Sequence, residues 1–424
     1  MKRIVSISIL LSGLFSLSSC IDMMNEVKDV ERVEYVTVSY KVNAVTGFVP
    51  KGGNVEPDSS FNVSGLNAVF TNLTTDAVVA SQTDEDGVCS VALDPGVYSV
   101  SIYGVTDQGG QSYYINGNIS SVSLYENITK EEALKNKDHQ LNVRPAKVGG
   151  LIFSEIYYCG ASNYYFRDQT YQIYNNGDKV EYLDGVCFAQ LYPNIATTKK
   201  PSWPDEEGED NYVYALWVWQ FPGTGHDYPL APGESVVVVQ EARNHVENNP
   251  DSFDNSMAQW ECSVGNELRD NAKVPNMPYI FYSSFNSMQW LTSVFGAAFA
   301  LYKPEGDIIG ADYYSVEGEH VVSEVSKSTK YARIDANSVL DGLECLPNMN
   351  SMQMKRIPGF VDAGGTSVGS TYIGKSVSRR VLSHREDGTP IFQDTNNSTI
   401  DFEVMDRPAI RRYGEKEPSW FTSK

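Results

Sequence analysis

The sequence predicts an all-β fold, on the basis of three observations. The 424 residues include 26 tyrosines and 33 glycines, while long runs rich in Ala, Leu, Glu and Lys are scarce. Aromatic residues favour strands over helices. From Val33 onward, apolar and polar residues alternate with the period of a half-buried strand. Asp-Gly and Pro-Gly pairs bracket these segments, as turns in a β-meander do.

Length, composition and charge limit the class of protein. At about 150 residues per domain, the length suggests two or three domains. Hydrophobic residues make up 41% of the chain and aromatic residues 12%, which is enough to form cores and excludes wholesale disorder. The net charge of −21 repels phosphate backbones and anionic headgroups. This argues against a nucleic-acid-binding protein and against a polybasic membrane-binding protein.

Residues 1–20 have the pattern of a secretory signal. Two basic residues precede the apolar run Ile4–Leu17, which is too short to cross a membrane. The run ends in Leu-Ser-Ser-Cys at Cys20, which resembles the lipobox of bacterial lipoproteins. This resemblance implies that residues 1–20 are a lipoprotein signal peptide with its lipobox, and that Cys20 is the site of lipid attachment. An ordinary signal peptide with a chance cysteine is the alternative.

Residues 21–32 form a short charged tether in this interpretation. Its scattered acidic residues resemble the export signal that places Bacteroidota-type lipoproteins on the cell surface: Asp22, Glu26, Asp29 and Glu31. The resemblance implies a protein that is lipid-anchored in the cell outer membrane and exposed at the surface. The periplasmic face of the membrane is the open alternative.

Five further cysteines are predicted to be buried thiols that pack as small hydrophobic residues: Cys89, Cys159, Cys187, Cys262 and Cys345. Their odd number leaves at least one of them unpaired, and no pair has the spacing of a zinc knuckle or a redox motif. A Cys159–Cys187 disulfide between neighbouring strands is the alternative in an oxidising compartment.

The first predicted domain comprises residues 33–145. Between Thr83 and Val100 the chain reads T-D-x-x-G and then L-x-P-G-x-Y-x-V. This order resembles the carboxypeptidase-regulatory-like, transthyretin-like sandwich, a seven-stranded Ig-like module. The resemblance implies a structural spacer or folding aid without chemistry of its own.

The sequence predicts two local features of this domain. The acidic residues 84–86 are expected to form a solvated turn, with calcium binding as the weaker alternative. Thr129 and Glu132 fit a capping box that opens a short helix ending near Lys137.

The second predicted domain comprises residues 149–412. It contains in order E-I, I-Y-N-N, L-D-G, F-P and L-x-P-G-E-S-V-V-V between residues 155 and 238, and R…D-T-N-N-S-x-x-D-F at residues 379–402. This order resembles a lamin-tail domain, a compact Ig-like β-sandwich. The resemblance implies long insertions around 193–212, 241–295 and 311–375, and residues 394–402 are expected to form the closing strand. Residues 413–424 are predicted to be a C-terminal tail.

The prediction for the whole chain is therefore an all-β protein with two Ig-like β-sandwich domains, long loop insertions and a few short helices. This combination on a lipidated chain resembles an uncharacterised Bacteroidota outer-membrane lipoprotein family. The resemblance implies an outer-membrane location and no known activity.

One catalytic motif is present, G-x-S-x-G at Gly365–Gly369. In an α/β-hydrolase, Ser367 would lie between a strand and a helix and would be followed by an acid and a histidine. Neither flanking segment fits, and no acid lies between Ser367 and His384. We predict a glycine-rich loop, no catalytic residue and no enzymatic activity. The scattered histidines predict no metal site or cofactor, and the acidic run 205–210 is expected to be a solvated loop, with calcium binding as the alternative.

Aromatic residues on both sides of that acidic run are the candidate ligand contacts: Trp203, Tyr212, Trp217 and Trp219. Trp217 and Trp219 share one face of a strand by their period of two. Most of these rings are expected to be core residues. Those that are exposed would suit a sugar ring, a porphyrin or a peptide.

The leading hypothesis for function is a non-enzymatic, lipid-anchored binding or adaptor protein of the outer membrane. Its expected partners are the lipid bilayer, through acylated Cys20, and an outer-membrane transporter of a TonB-dependent nutrient-uptake system or another envelope protein. No nucleic acid is expected as a partner. A structural or adhesive cell-surface component is the alternative, and an enzyme ranks third.

Overall fold

The structure is a computed structural model that describes residues 34–49, 55–204, 211–264, 269–283, 290–306 and 308–421. The predicted signal peptide, Cys20, the tether and the acidic run 205–210 lie outside these ranges. The chain from Tyr35 onward belongs to one compact unit. The division into domains 33–145 and 149–412 stays a prediction.

Seven strands form the N-terminal sheet: β1 (Val36–Ala44), β2 (Asn67–Asn72), β3 (Val78–Gln82), β4 (Val88–Leu93), β5 (Gly96–Gln108), β6 (Gln111–Leu124) and β7 (Gln140–Lys147). Their order in the sheet is β3-β2-β5-β6-β7-β1-β4. All neighbours are antiparallel except β1 and β7, which are parallel. The apolar face of β1, with Val38, Tyr40 and Val42, is buried as the alternation predicts and packs in one core with Phe70 and Val100.

The predicted turn and helix of this region are confirmed. Asp84 accepts hydrogen bonds from the backbone N–H groups of Asp86 (2.9 Å) and Val88 (3.0 Å). Lys130 forms ion pairs with both Asp84 and Asp86. Helix α1 (Lys130–Lys135) begins with the reciprocal capping box of Thr129 and Glu132, in which each side chain bonds the other's backbone N–H.

The rest of the chain contributes seventeen strands among the described residues: β8 (Leu151–Tyr157), β9 (Thr170–Asn175), β10 (Glu181–Tyr182), β11 (Cys187–Leu191), β12 (Tyr212–Gln220), β13 (Pro229–Leu230), β14 (Ser235–Val239), β15 (Trp260–Glu261), β16 (Tyr279–Tyr282), β17 (Ala298–Tyr302), β18 (Val321–Ser323), β19 (Lys330–Asp335), β20 (Val339–Glu344), β21 (Ser376–Arg379), β22 (Val381–His384), β23 (Pro390–Phe392) and β24 (Phe402–Met405). Helix α2 (Ser398–Asp401) precedes β24. The 3₁₀ turns are Lys137–His139, His245–Glu247, Ala311–Ser315, Ala336–Ser338 and Met349–Met354.

These strands form two large sheets. One has the order β18-β19-β12-β11-β17-β20, with β16 also paired to β12, and the other has the order β15-β14-β9-β8-β21-β24. The pairs β10–β13 and β22–β23 are small separate ribbons. The strand content and the short helices confirm the all-β prediction.

The two large sheets share one core, and the sheet that contains β11 is buried on both faces. Phe188 of β11 packs in the shared core with Trp219 and Phe299. Its sequence neighbours Cys187 and Ala189 point to the opposite face and belong to a second core. A sheet that is buried on both faces reads as a continuous hydrophobic run, which is why β11 shows no alternation in the sequence.

The local structure tests the predictions for the cysteines and for the closing strand. All five cysteines from Cys89 to Cys345 are free and buried, so the buried-thiol prediction is confirmed and the Cys159–Cys187 disulfide is not formed. The closing strand predicted at residues 394–402 is wrong: Asn397 caps the single turn of α2, and the strand begins only at Phe402, the last residue of the predicted segment.

A local polar cap explains why residues 394–401 do not form a strand. The Asp401 side chain accepts hydrogen bonds from the backbone N–H groups of Thr395 (2.9 Å) and Asn397 (3.1 Å). Short polar side chains that bond nearby backbone compete in this way with strand formation.

Residues 413–421, predicted as a tail, pack on the body of the protein, where Trp420 Nε1 donates to the carbonyl oxygen of Pro229 (2.9 Å).

Candidate binding cleft

The structure places the candidate aromatic residue Trp203 in a packed cluster. Its side chain is only 9% exposed, and its ring lies parallel to that of Tyr214 at a centroid distance of 3.7 Å. Tyr192 and Tyr331 contact the Trp203 ring edge-on. This environment is typical of a core residue.

The other three candidate aromatics lie on β12. Trp217 and Trp219 share a face as predicted, with parallel rings 5.6 Å apart. Trp219 is completely buried, and Trp217 is 9% exposed. Tyr212 is half-buried under the guanidinium group of Arg333, 4.6 Å from its ring centroid. A ligand-contact role for these aromatics stays a prediction, and their burial is typical of a core.

The G-x-S-x-G motif forms a loop, as predicted. The Ser367 hydroxyl donates to the carbonyl oxygen of Pro347 (3.3 Å) and accepts from the backbone N–H of Gly369 (3.0 Å). Neither a helix nor a strand begins between Ser367 and Ser376, and His384 lies exposed on β22. The lack of enzymatic activity stays a prediction.

A cleft of about 800 Å³ opens where the N-terminal sheet meets the rest of the protein, and we call it the junction cleft. It is lined by residues of five segments and by three further side chains: 110–113, 145–151, 177–181, 303–305 and 336–340, with Phe360, Val361 and Asn396. Binding pockets of small ligands usually measure about 300–1,000 Å³. The junction cleft is therefore large enough for a ligand of several rings.

One wall of the junction cleft is a hairpin that the sequence specifies closely. Gln108 pairs with Gln111, so β5 and β6 are joined by the two residues Gly109 and Gly110, both with positive φ. Such a turn matches the twist of an antiparallel pair and requires residues that tolerate positive φ. The backbone N–H of Val148 donates to the carbonyl oxygen of Ser112 (3.0 Å), which ties the link after β7 to this hairpin.

The opposite wall consists of turns that are fixed by hydrogen bonds to their own strands. Asp335 caps the 3₁₀ turn after β19 by accepting from the backbone N–H of Asn337 (2.8 Å). Lys303 donates its backbone N–H to the carbonyl oxygen of Ser338 (3.0 Å), and Asn175 accepts from the backbone N–H of Gly177 (2.9 Å). The wall is therefore held in place before any ligand binds.

The junction cleft collects charges of both signs that do not pair with each other. Three lysines line it, together with three acidic residues: Lys147, Lys179 and Lys303, with Asp178, Glu181 and Glu305. Among the described residues, no carboxylate oxygen lies within 4.0 Å of the ammonium nitrogen of any of the three lysines, so none of them forms an ion pair there. All three lysine side chains are exposed. The ammonium groups are thus available to a ligand.

Glu181 is the least exposed of the acidic residues. Burial raises the pKa of its carboxyl group, and the positive charges of Lys147, Lys303 and Lys179 act in the opposite direction. A Cβ atom added to Gly150 would lie 2.6 Å from Glu181 Oε1, so glycine at this position makes room for the carboxyl group. The three lysines are therefore the charges that act on the half-buried carboxylate.

A buried ion network is linked to the N-terminal sheet by hydrogen bonds. Arg379 is 2% exposed and donates from Nη2 to Asp341 Oδ1 (2.8 Å) and from Nη1 to Asp394 Oδ1 (3.0 Å). Asn116 of β6 donates its side-chain N–H to the carbonyl oxygen of Thr395 (3.0 Å). The segment that follows Asp394 therefore joins the ion network to the N-terminal sheet.

Sequence reasoning missed the three lysines of the junction cleft. They are separated by 32 and 124 residues and share no motif or spacing. Lys147 and Lys179 lie close in the sequence to Gly149 and Gly177, and such turn glycines are the signal that could have drawn attention to these segments. No rule of periodicity brings the three turns to one place, because their proximity depends on the order of strands in two sheets.

The part of the chain that the structure describes contains no group of three or more His, Cys, Asp or Glu side chains that could hold a metal ion. Within the same ranges, no helix is long and apolar enough to span a membrane.

Comparison with known proteins reveals the family. A family model described as "Protein of unknown function (DUF4876)" matches residues 231–409. The chain is 37% identical to a DUF4876 family protein from Bacteroides thetaiotaomicron whose crystal structure is known, with a TM-score of 0.61. The match covers 91% of this chain and 99% of that protein. The chain belongs to the DUF4876 family.

The DUF4876 model begins at the end of β13 and ends after β24, so it includes Lys303, Asp341 and Arg379 but neither Lys147 nor Lys179. A DUF3823 family protein from Parabacteroides merdae is 10% identical, with a TM-score of 0.16 and coverage of 46% of this chain and 78% of that one. That likeness is too slight to support an argument about this protein. No functionally curated protein matches the chain.

Proposed function

We propose that this DUF4876 protein is a lipid-anchored binding protein of the outer membrane that captures a soluble ligand in the junction cleft. The lipid on Cys20 provides the anchor, no catalysis is involved, and the bound ligand is passed to a nutrient-uptake transporter of the TonB-dependent class. The observation that supports binding is the junction cleft itself, whose lysines form no ion pair among the described residues.

An ion pair between exposed side chains contributes little, because both charges stay hydrated. In the junction cleft the lysines lie exposed on separate turns, and Glu181 is half-buried without an ion pair among the described residues. An arrangement of this kind is pre-organised for a ligand that completes the hydrogen bonds.

The structure around the junction cleft is suited to binding because the two sides are tied together. The Asn211 side chain donates to the carbonyl oxygen of Val49 (2.8 Å) and accepts from its backbone N–H (2.9 Å). Arg144 donates to the same side chain, and its guanidinium group lies 4.9 Å from the centroid of the Phe360 ring. Rigid elements position binding groups more precisely than loops do.

A structural or adhesive role at the cell surface is the second candidate. One observation favours it: Tyr164, at the tip of a tight turn, is 78% exposed and has positive φ. Its ring packs edge-on against Tyr372, which also has positive φ. Strained backbone of this kind clusters at functional sites such as ligand clamps.

Hydrogen–deuterium exchange tests ligand capture even while the ligand is unidentified. The mature protein is incubated with pools of soluble sugars, peptides, nucleosides and organic acids, and backbone exchange is measured. We expect one class of pool to slow exchange in residues 110–113, 147–151 and 336–340, which line the junction cleft. Exchange at the exposed turn 161–165 serves as the internal control.

Two outcomes of this measurement would reject ligand capture in the junction cleft. One is that no pool protects these segments. The other is protection confined to the turn 161–165, which would support the adhesive alternative instead.

A further inference from the structure

We infer that the ligand of the junction cleft is an anionic, hydroxyl-rich molecule: a sugar that carries a carboxylate, or a sulfate or phosphate ester. This inference rests on the proposed function and specifies its ligand. The anionic group is bound by Lys147, Lys179 and Lys303, and hydroxyl groups of the ligand donate to Glu181.

The lysines of the junction cleft stand out against the acidic character of the chain. The chain as a whole has 33 basic residues against 54 acidic ones, yet the junction cleft is lined by equal numbers of each. Lysine ammonium groups are strong donors to carboxylate, sulfate and phosphate oxygens. Three exposed ammonium groups on three different segments can surround an anion that enters between them.

The electrostatic field at Glu181 disfavours a cationic ligand group. The charges that act on this carboxyl group are all positive, because they come from Lys147, Lys303 and Lys179. A ligand ammonium group placed beside Glu181 would meet the repulsion of three cations. A neutral hydroxyl donor would not, and a carboxylate is a good acceptor for hydroxyl groups. The surroundings of Glu181 therefore favour a ligand with hydroxyl groups over one with an amine.

Neutral polar residues also line the junction cleft, namely Asn337, Ser338 and Asn396. Each already donates a hydrogen bond within the protein: Asn337 and Ser338 donate to Asp335, and Asn396 donates to the carbonyl oxygen of Phe360. Their side-chain oxygen atoms can still accept hydrogen bonds, which suits the hydroxyl groups of a polyol. Together, the charged and neutral groups match an acidic sugar.

Isothermal titration calorimetry on the mature protein tests the inference with matched probes. The probes are a tetrasaccharide of galacturonic acid, its fully methyl-esterified form and a sulfated tetrasaccharide. We expect each of the two acidic sugars, or the one whose anionic group fits, to bind at least about tenfold more tightly than the neutral ester, since charge-assisted hydrogen bonds are the stronger ones. The affinity should fall as salt is added, because the lysines are exposed.

A matched pair of triple variants locates the effect. Lys147→Gln, Lys179→Gln and Lys303→Gln together should weaken binding of the acidic sugar at least about tenfold, through the loss of charge-assisted bonds. The control combines Lys199→Gln, Lys200→Gln and Lys273→Gln, which are exposed lysines outside the junction cleft. It changes the net charge equally and should alter the affinity less than twofold. All six residues are exposed, so both variants should remain folded.

The outcomes separate this inference from the proposed function. Equal affinity for the acid and its methyl ester would overturn the anionic ligand while leaving capture in the junction cleft intact. Tighter binding of an oligomer of glucosamine would overturn it too, because that ligand carries ammonium groups. An equal loss in both triple variants would show that net charge alone matters, and would reject the lysine site. Absence of exchange protection by every pool would reject the proposed function itself.

Discussion

At Arg379, a single guanidinium group is shared by three carboxylates from distant parts of the chain: Asp341, Asp394 and Asp401. The R…D-T-N-N-S-x-x-D-F order contains three of these four residues. Asp341 could not be predicted, because it lies 38 residues before Arg379 and only the pairing of β20 with its sheet brings it near. Loss of one partner from such a buried ion network leaves the remaining charges unpaired and is strongly destabilising.

Replacement of Arg379 by alanine tests this network. The variant leaves three buried carboxylates without their cation, and we expect the free energy of unfolding to fall by roughly 3–5 kcal/mol. The neighbouring Arg380, which forms an exposed pair with Glu403, is the control. Arg380→Ala should cost less than about 1 kcal/mol. Denaturant unfolding measures both, and equal losses would contradict the network's role.

Asp168 is a second residue at which burial has a measurable consequence. Burial raises the pKa of this carboxyl group from 3.8 to about 6, while hydrogen bonds from Ser252 and Tyr157 act in the opposite direction. Its Oδ1 atom has no hydrogen-bond partner among the described residues. Between pH 4 and pH 6 the folded protein therefore holds a proton that the unfolded chain has released, so stability falls as the pH rises through this window.

Asp168→Asn removes this titration. Relative to the natural protein, the variant should gain stability as the pH is raised from 4 to 7, by up to roughly 3 kcal/mol for a shift of about two pKa units. Thermal unfolding across this pH range measures the difference. Ser252→Ala removes a donor to the ionised carboxylate and should move the loss of stability to higher pH. A difference between Asp168→Asn and the natural protein that is constant with pH would contradict this account.

At the scale of elements, the sequence predicts the turns, caps and strands that depend on residues close together in the chain. The turn at Asp84, the capping box at Thr129 and the alternation of β1 were all predictable because each depends on residues within a few positions. The closing strand predicted at residues 394–402 was wrong except at Phe402, because the polar cap formed by Asp401 outweighs the alternation of residues 399–402. The junction cleft was not predictable, since it depends on three turns that only the sheet order brings together.

The capping box offers a test at this scale. Thr129→Ala removes the acceptor for the backbone N–H of Glu132, and we expect a loss of about 1 kcal/mol in the free energy of unfolding. Thr129→Ser keeps the hydroxyl group and should lose only a few tenths of that amount. Denaturant unfolding of the two variants gives the comparison. Equal losses for alanine and serine would indicate that the methyl group, rather than the cap, is responsible.

At the scale of the whole molecule, the net charge and the proposed lipid anchor act together. A chain of net charge −21 is kept away from anionic membrane surfaces, so a lipid at Cys20 would hold it there without drawing the body onto the bilayer. The junction cleft, lined by equal numbers of basic and acidic residues, would then be a locally neutral site on a negative protein. Such a site repels an anionic ligand less than the rest of the surface does.

Cys20→Ala tests the anchor. We expect the variant to lose labelling by a fatty-acid probe and to move from the membrane fraction to the soluble fraction, because the thiol that would carry the lipid is absent. The purified variant should keep the melting temperature of the natural protein, which separates anchoring from folding. Continued labelling, with the protein still in the membrane fraction, would show that Cys20 is not the lipid attachment site.

The central claim is that the junction cleft holds an acidic sugar between its lysines. A crystal structure of the mature protein grown with the galacturonic acid tetrasaccharide tests it most directly. The account predicts electron density for the sugar in the junction cleft, with a carboxylate within hydrogen-bond distance of at least two of Lys147, Lys179 and Lys303. Density for the sugar elsewhere on the surface, or an ordered junction cleft with no sugar at saturating concentration, would contradict it.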